Sequence, residues 1–278
     1  MSPRRSAAGR PLALAALLAG AAVTITPFVM MVSISFTRQS FVLELPPRLL
    51  PKDPTPNNYV DAWTSGGFAL YFLNSAAVAA ATVAGVVLLS SMMAYAFARF
   101  DFPGKTVLFY ALIAALMIPG MMLILPQFLL ARDLGLIDSR LGLVLFYVGS
   151  QLAFITFLLR GFFQSVPREL EEAMRLDGAG AWRIYWLLML PLSRPALATA
   201  GIFTFLLAWD EFAWALTIIN DPDKRTLPLA IALFQGQHAT SWGLVFAASV
   251  ISVLPVIIIF VIFQRHFVSG LRAGALKG

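Results

Sequence analysis

The sequence predicts an all-α membrane protein with six spanning helices, and three observations carry that expectation. Six stretches are each long and apolar enough to cross a bilayer. Charged residues make up only 12% of the chain, against roughly 25% in soluble domains, and gather in the segments between those stretches. The mean hydropathy of the whole chain is +0.82. The stretches lie at roughly 11–36, 68–98, 106–130, 141–160, 195–219 and 244–264, and about 20 mostly apolar residues suffice for one crossing. Residues 1–278 read as one transmembrane domain, with no internal repeat and no soluble module.

The first stretch follows MSPRR and is rich in Ala and Leu, as a secretory leader is. Its apolar run continues through TPFVMMVSISF, well past a leader's core, so a retained spanning helix is expected. The second carries Asn74 and Ser75 early in its length and an Ala/Gly/Ser-rich run over 75–85, a composition that suits close helix packing. In the third, Pro119 and Pro126 each lack a backbone donor, so two kinks are expected, either for packing or to open carbonyls to a watery cavity. The fifth holds Asp210 and Glu211 with Trp209 and Trp214 beside them, the only acidic residues inside apolar sequence. Intramembrane carboxylates are costly and usually face a bundle interior or water. The sixth leads into SGLRAGALKG, which ends the chain.

Orientation follows from the basic residues. The N-terminus, 99–105, 160–194 and 265–278 hold 13 of the 20 Lys and Arg, and 37–67, 131–140 and 220–243 hold 7. The excess marks the cytoplasmic side, which places both termini inside the cell and makes 161–194 the largest cytoplasmic loop.

Composition also removes function classes. A net charge of +6 without a dense basic patch reads as topology rather than nucleic-acid binding. Zero cysteines exclude disulfides and thiolate chemistry, and the two histidines, His238 and His266, are too few and too far apart for a metal site. No G-x-x-x-x-G-K-[ST] phosphate loop occurs, and the terminal GALKG lacks its spacing. No catalytic residue, metal or cofactor is expected in this chain.

The loop itself, EEAMRLDGAGAWRIYWLLMLP at 171–191, reads as two short helices around a turn. Pro167 suits a first turn, Glu169, Glu171 and Glu172 suit a helix N-terminus, and Leu170, Ala173 and Met174 fall on one face. Asp177 and Gly178 end that helix if Gly178 takes a positive φ, and a second helix runs through Trp182, Ile184, Tyr185 and Leu188 until Pro191 breaks it. Such a segment either rests on the lipid surface or projects as a rigid helix–turn–helix.

The order of these residues resembles the EAA motif of permease subunits of ABC importers: E-A-A, two residues, D-G-A, then an aromatic, an aliphatic and L-P. Glu172, Ala173, Asp177, Gly178, Ala179, Tyr185, Leu188, Leu190 and Pro191 fill those positions, with Met174 in place of the second alanine. MAYAFARFDFPGK (93–105), MIPGMMLILPQF (117–128), AWDEF (208–212) and QRHFVSGLRAGALKG (264–278) are similar to carbohydrate importers of the maltose MalG type. The resemblance implies a type I ABC importer permease fold in a bacterial cytoplasmic membrane. It further implies a second permease subunit, an ATPase dimer that binds ATP and Mg, and an extracytoplasmic solute-binding protein.

The resemblance also implies roles for residues. A coupling helix at about 168–177 would dock in a groove of the ATPase, with Leu170 and Met174 filling it, Ala173 allowing close approach, and Glu172 pairing with a basic residue. Gly270, Arg272 and Lys277 would enter the ATPase dimer interface, where a free terminus is the ordinary expectation. The substrate would be a disaccharide or oligosaccharide of maltose or trehalose type. Asn74, Trp209, Asp210, Glu211 and Trp214 are candidates for its path, or for structural polar contacts. The family usually has W-N-[DE]-F where this chain has Asp210. The alternative is a secondary transporter driven by an ion gradient, with Asp210 and Glu211 as the ion site. Inverted repeats would mark it, and the sequence contains none.

Overall fold

The computed structural model describes residues 9–38, 50–51, 53–64, 67–234 and 241–275. In chain order the helices are α1 (Gly9–Ser35), α2 (Asn57–Thr64), α3 (Phe68–Arg99), α4 (Lys105–Ala114), α5 (Ile124–Asp133), α6 (Arg140–Ser165), α7 (Arg168–Leu176), α8 (Ala181–Ile184), α9 (Leu190–Leu192), α10 (Arg194–Asp210), α11 (Ala213–Ile218), α12 (Leu227–Phe234) and α13 (Trp242–Ala275). Among the described residues the extended pairing is one isolated bridge, Thr37 with Pro54.

Among the described residues four helices are long and apolar enough to cross a membrane: Ala13–Ser35, Phe68–Arg99, Arg140–Ser165 and Trp242–Phe263. Two bent pairs bring the number to six if each is one crossing. The first pair, Lys105–Met117 and Gly120–Asp133, meets at 94°. Its break falls at Ile118 and Pro119, both extended, as the missing N–H of Pro119 requires. Pro126 makes no second kink: it sits in the first turn of α5, where no intrahelical donor is needed.

The second pair, Ala181–Leu192 and Arg194–Asp210, meets at 78°. Here the expected boundaries shift. The helix does not stop at Pro191 but widens into a π turn over Tyr185–Met189 and continues to Leu192. Pro191 cannot donate to the carbonyl four residues back, and a wider turn upstream relieves that clash. At the other end the stretch expected at 195–219 is interrupted after Asp210 and resumes as α11.

The chain divides into two compact units, residues 1–69 with 231–254, and residues 70–230 with 255–278. In the first, Asn58 is buried and donates to the carbonyls of Ser35 and Thr37 at 2.8 Å each, while the Tyr59 and Ser35 hydroxyls pair at 2.6 Å. A Cβ at Gly243 would lie 2.6 Å from the Thr37 carbonyl, so α13 starts where only glycine fits. The second unit is built on α3, α6 and α10, whose core includes Val86, Ala94, Ile155, Leu159, Phe163, Met189 and Ala200. The small-residue run of α3 serves close packing as expected: a Cβ on Gly85 would touch Val148 of α6 at 3.0 Å.

Candidate coupling and translocation sites

Pro167 caps α7 in extended geometry, and Glu169 and Glu171 occupy the first turn, where the unpaired N–H groups favour negative charge. Gly178 has φ +80°. Around it Ala179 N–H bonds the Met174 carbonyl at 2.9 Å and Gly178 N–H that of Arg175 at 3.0 Å, the two bonds of a Schellman ending. The expected helix and its stop are both present.

The rotational phase of α7 differs from expectation. Glu171 is 4% exposed, and Met174 packs against the core that includes Phe163 and Tyr185. Met174 therefore faces the protein, not a partner groove, whereas Leu170, Glu172, Ala173, Leu176 and Asp177 face outward. The cause is Arg99, the last residue of α3. Its Nε lies 2.5 Å from Glu171 Oε1, with both side chains 6% exposed or less, and its Nη2 donates to the Val166 carbonyl at 2.5 Å. The Glu171 contact is ionic rather than an aligned hydrogen bond. Nearby, the Tyr185 and Ser91 hydroxyls pair at 2.7 Å and tie the π turn to α3.

The candidate path residues divide sharply. Asn74 is 1% exposed, and its amide donates to the carbonyls of Asp223 and Arg225 at 2.8 and 3.0 Å while Arg140 donates to its oxygen. Ser75 Oγ accepts the Leu227 N–H at 2.8 Å. Both hold the segment before α12 instead of lining an opening. Trp209 is likewise buried, against Phe72 and Phe205 with ring centroids at 5.4 and 5.3 Å, and Trp214 stacks on Phe146 at 4.7 Å.

Glu211 lies in the break between α10 and α11. Its Oε1 accepts the Trp214 N–H at 2.7 Å, and its Oε2 accepts the Ala215 N–H at 3.1 Å and the Tyr147 hydroxyl at 2.5 Å. A helix that restarts inside apolar surroundings leaves N–H groups that must be satisfied, and this carboxylate satisfies two. Asp210, on the last turn of α10, is exposed. The backbone leaves the helix at Glu211, which is extended (φ −67°, ψ 126°), and this turn of the chain sends one carboxylate in and the other out.

Sequence reasoning missed Arg99, Tyr147, Arg140 and Asp138. Asp138 has φ 56°. Its Oδ1 accepts the N–H groups of Asp221 and Asn220 at 2.9 and 3.0 Å, and Lys224 lies 3.4 Å from its Oδ2. The Asp221 N–H foremost, with that of Asn220 and the Lys224 charge, holds the Asp138 carboxyl below its ordinary range. The only sequence signal for these residues was the AFAR ending of the second stretch, read as motif and not as a contact.

A short helix, a turn and a second helix set between apolar helices are shared by many membrane proteins, so the residue order has to decide. Residues 86–273 match the family described as binding-protein-dependent transport system inner membrane component. The chain belongs to that family. A diacetylchitobiose uptake system permease protein of Streptomyces coelicolor, NgcG, is 35% identical to this permease over 265 residues, 95% of this chain and 87% of its own. The trehalose/maltose transport system permease protein MalG of Thermococcus litoralis is 36% identical, with 93% of each chain covered. The sulfoquinovosyl glycerol transport system permease protein SmoH of Agrobacterium fabrum is 40% identical over 82% of this chain and 80% of its own. Among solved structures, a chain of a bacterial ABC transporter involved in the import of the acidic polysaccharide alginate superposes with a TM-score of 0.82 at 26% identity, covering 96% of this permease and all of that chain. The permease is thus a multi-pass membrane component of an ABC importer. Gly270 and Arg272 fall within helix α13, but the Arg272 side chain, and all of Lys277, lie outside the described residues.

Proposed function

We propose that this permease is one half of a two-permease pore that imports a disaccharide or oligosaccharide, of maltose or trehalose type, driven by a separate ATPase dimer that binds ATP and Mg. The sugar class is supported by the range of the relatives, whose names include diacetylchitobiose, trehalose/maltose and sulfoquinovosyl glycerol. An extracytoplasmic binding protein delivers the sugar, a reading that the family description supports. Both termini and the α6–α10 segment lie on the cytoplasmic side, in keeping with the basic residues gathered there.

The observation that carries the coupling role is α7. It is held firmly on its inner side and presents Leu170, Ala173 and Leu176 outward, within an arc of about 120°, with Glu172 beside them. Leu176 is 90% exposed. An apolar strip with a charge at its edge is the form of a helix that lies in another protein's groove. The tail residues Gly270, Arg272 and Lys277 make a second contact with the ATPase. Along the sugar path, Asp210 is the carboxylate available for hydroxyl groups, because Glu211 is engaged with backbone N–H groups. The test is purification of the intact complex, identification of the co-purifying ATPase and binding protein, and assay of Glu172→Lys. Binding-protein-stimulated ATPase activity and sugar uptake should both fall. Unchanged values in an assembled Glu172→Lys complex would refute the coupling role.

A further inference from the structure

Glu171 is the only buried carboxylate among the described residues, and the side chain of its partner Arg99 is only 4% exposed. A buried ion pair is a poor stabiliser, since desolvating two charges offsets most of their attraction and apolar residues of similar volume often serve stability as well. What the pair supplies is geometry. The guanidinium is a rigid fork, and here it reaches two points on one short element: the Val166 carbonyl just before α7 and the Glu171 carboxylate in its first turn. Both points are joined to the end of a 32-residue helix.

The consequence is mechanical. With Glu171 and Met174 held inward, α7 cannot roll about its axis without leaving a buried charge unpaired, so its outward strip keeps one orientation. A displacement of α7 must carry the end of α3 with it or break the pair. We propose that Arg99 and Glu171 are positioning residues that pass the displacement of α7 to α3, the second span of the permease. This rests on the coupling role assigned above to α7. Neither side chain contacts the ATPase or the sugar, and their role is to make α7 and α3 move as one.

The test uses the assembled importer with its binding protein in lipid nanodiscs and proteoliposomes. The double substitution Arg99→Met with Glu171→Met keeps apolar volume and leaves no orphan charge. Arg99→Lys keeps the charge but gives up the two-point fork. Glu172→Lys, on the outer strip, serves as the comparison. The readouts are the ratio of stimulated to basal ATPase activity and the uptake per assembled complex, neither of which a purely structural defect would move. The double substitution should lower both by roughly tenfold, within the usual range for coupling between sites, with Arg99→Lys intermediate. If Glu172→Lys uncouples while the double substitution stays within about twofold of the unaltered complex, the tie is refuted and the coupling role stands. If neither substitution changes either readout, the coupling role fails and the tie with it. Should the double variant fail to assemble, Arg99→Lys decides: normal uptake per complex refutes the tie, and reduced uptake supports it.

Discussion

Glu211→Ala is the perturbation with the clearest outcome. It removes the acceptor of three bonds: the Trp214 and Ala215 N–H groups and the Tyr147 hydroxyl. A net hydrogen bond contributes about 1 kcal/mol, and a buried donor left unpaired costs about 1–3 kcal/mol, so a loss of roughly 3 kcal/mol is expected. Tyr147→Phe removes one of the three and leaves Glu211 bonded to α11, for about 1 kcal/mol. Asp210→Ala alters an exposed side chain and should fall within about 0.5 kcal/mol in stability. The assay is thermal unfolding of the purified complex, with sugar uptake and the quantity of assembled complex scored in the same membranes. Glu211→Ala should melt lowest and lose uptake in proportion to lost complex. Asp210→Ala should assemble normally and lose uptake per complex, while Asp210→Asn, the residue usual in the family, should be mild. A Glu211→Ala complex that assembles and melts normally yet fails to transport would refute the capping argument and return Glu211 to the sugar path.

Three further outcomes are expected. Gly178 has open space around its would-be Cβ, so Gly178→Val brings no clash and only the strain of a positive φ, about 1–3 kcal/mol; the complex should assemble while stimulated ATPase activity falls, and normal stimulation would count against a rigid α7 ending. Deleting residues 270–278 should change ATPase stimulation without reducing the amount of membrane-inserted permease, as measured by quantitative blotting and ATPase assay; no change would make the tail a free terminus. The depressed Asp138 carboxyl contributes stability above its unfolded value of about 3.8, lost as pH falls through the lower folded value, so the unaltered permease should destabilise at acid pH more steeply than Asp138→Asn in melting curves taken from pH 7 to pH 3. Parallel curves would refute that linkage.

Much of the architecture was legible in residue order because its causes are local. Apolar runs of spanning length predict α1, α3, α6 and α13, and Asp177-Gly178 predicts the end of α7, since a stop needs only one residue that tolerates positive φ. Pro119 announced a break correctly. Pro126 did not make one, because a proline's effect depends on whether its N–H would have been used, and that depends on where the preceding break falls.

Helical spacing could group Leu170, Ala173 and Met174 and place Asp210 and Glu211 on different sides, but it could not say which side faced the protein. That choice rests on partners far along the chain. Arg99 meets the Val166 carbonyl across 67 residues, and Tyr147 meets Glu211 across 64. Such pairs exist only once α3, α6 and α10 have packed, and packing sets the rotation of each short helix through a few buried polar contacts that leave no periodic trace. Asn74 shows the same division. A polar residue near the start of a spanning stretch signals some unmet need for a partner, and the folded chain supplies that partner as the carbonyls of Asp223 and Arg225. Residue order thus states which groups must be satisfied, and the packed helices settle by what, because an unpaired polar group in apolar surroundings costs more than any local preference can offset.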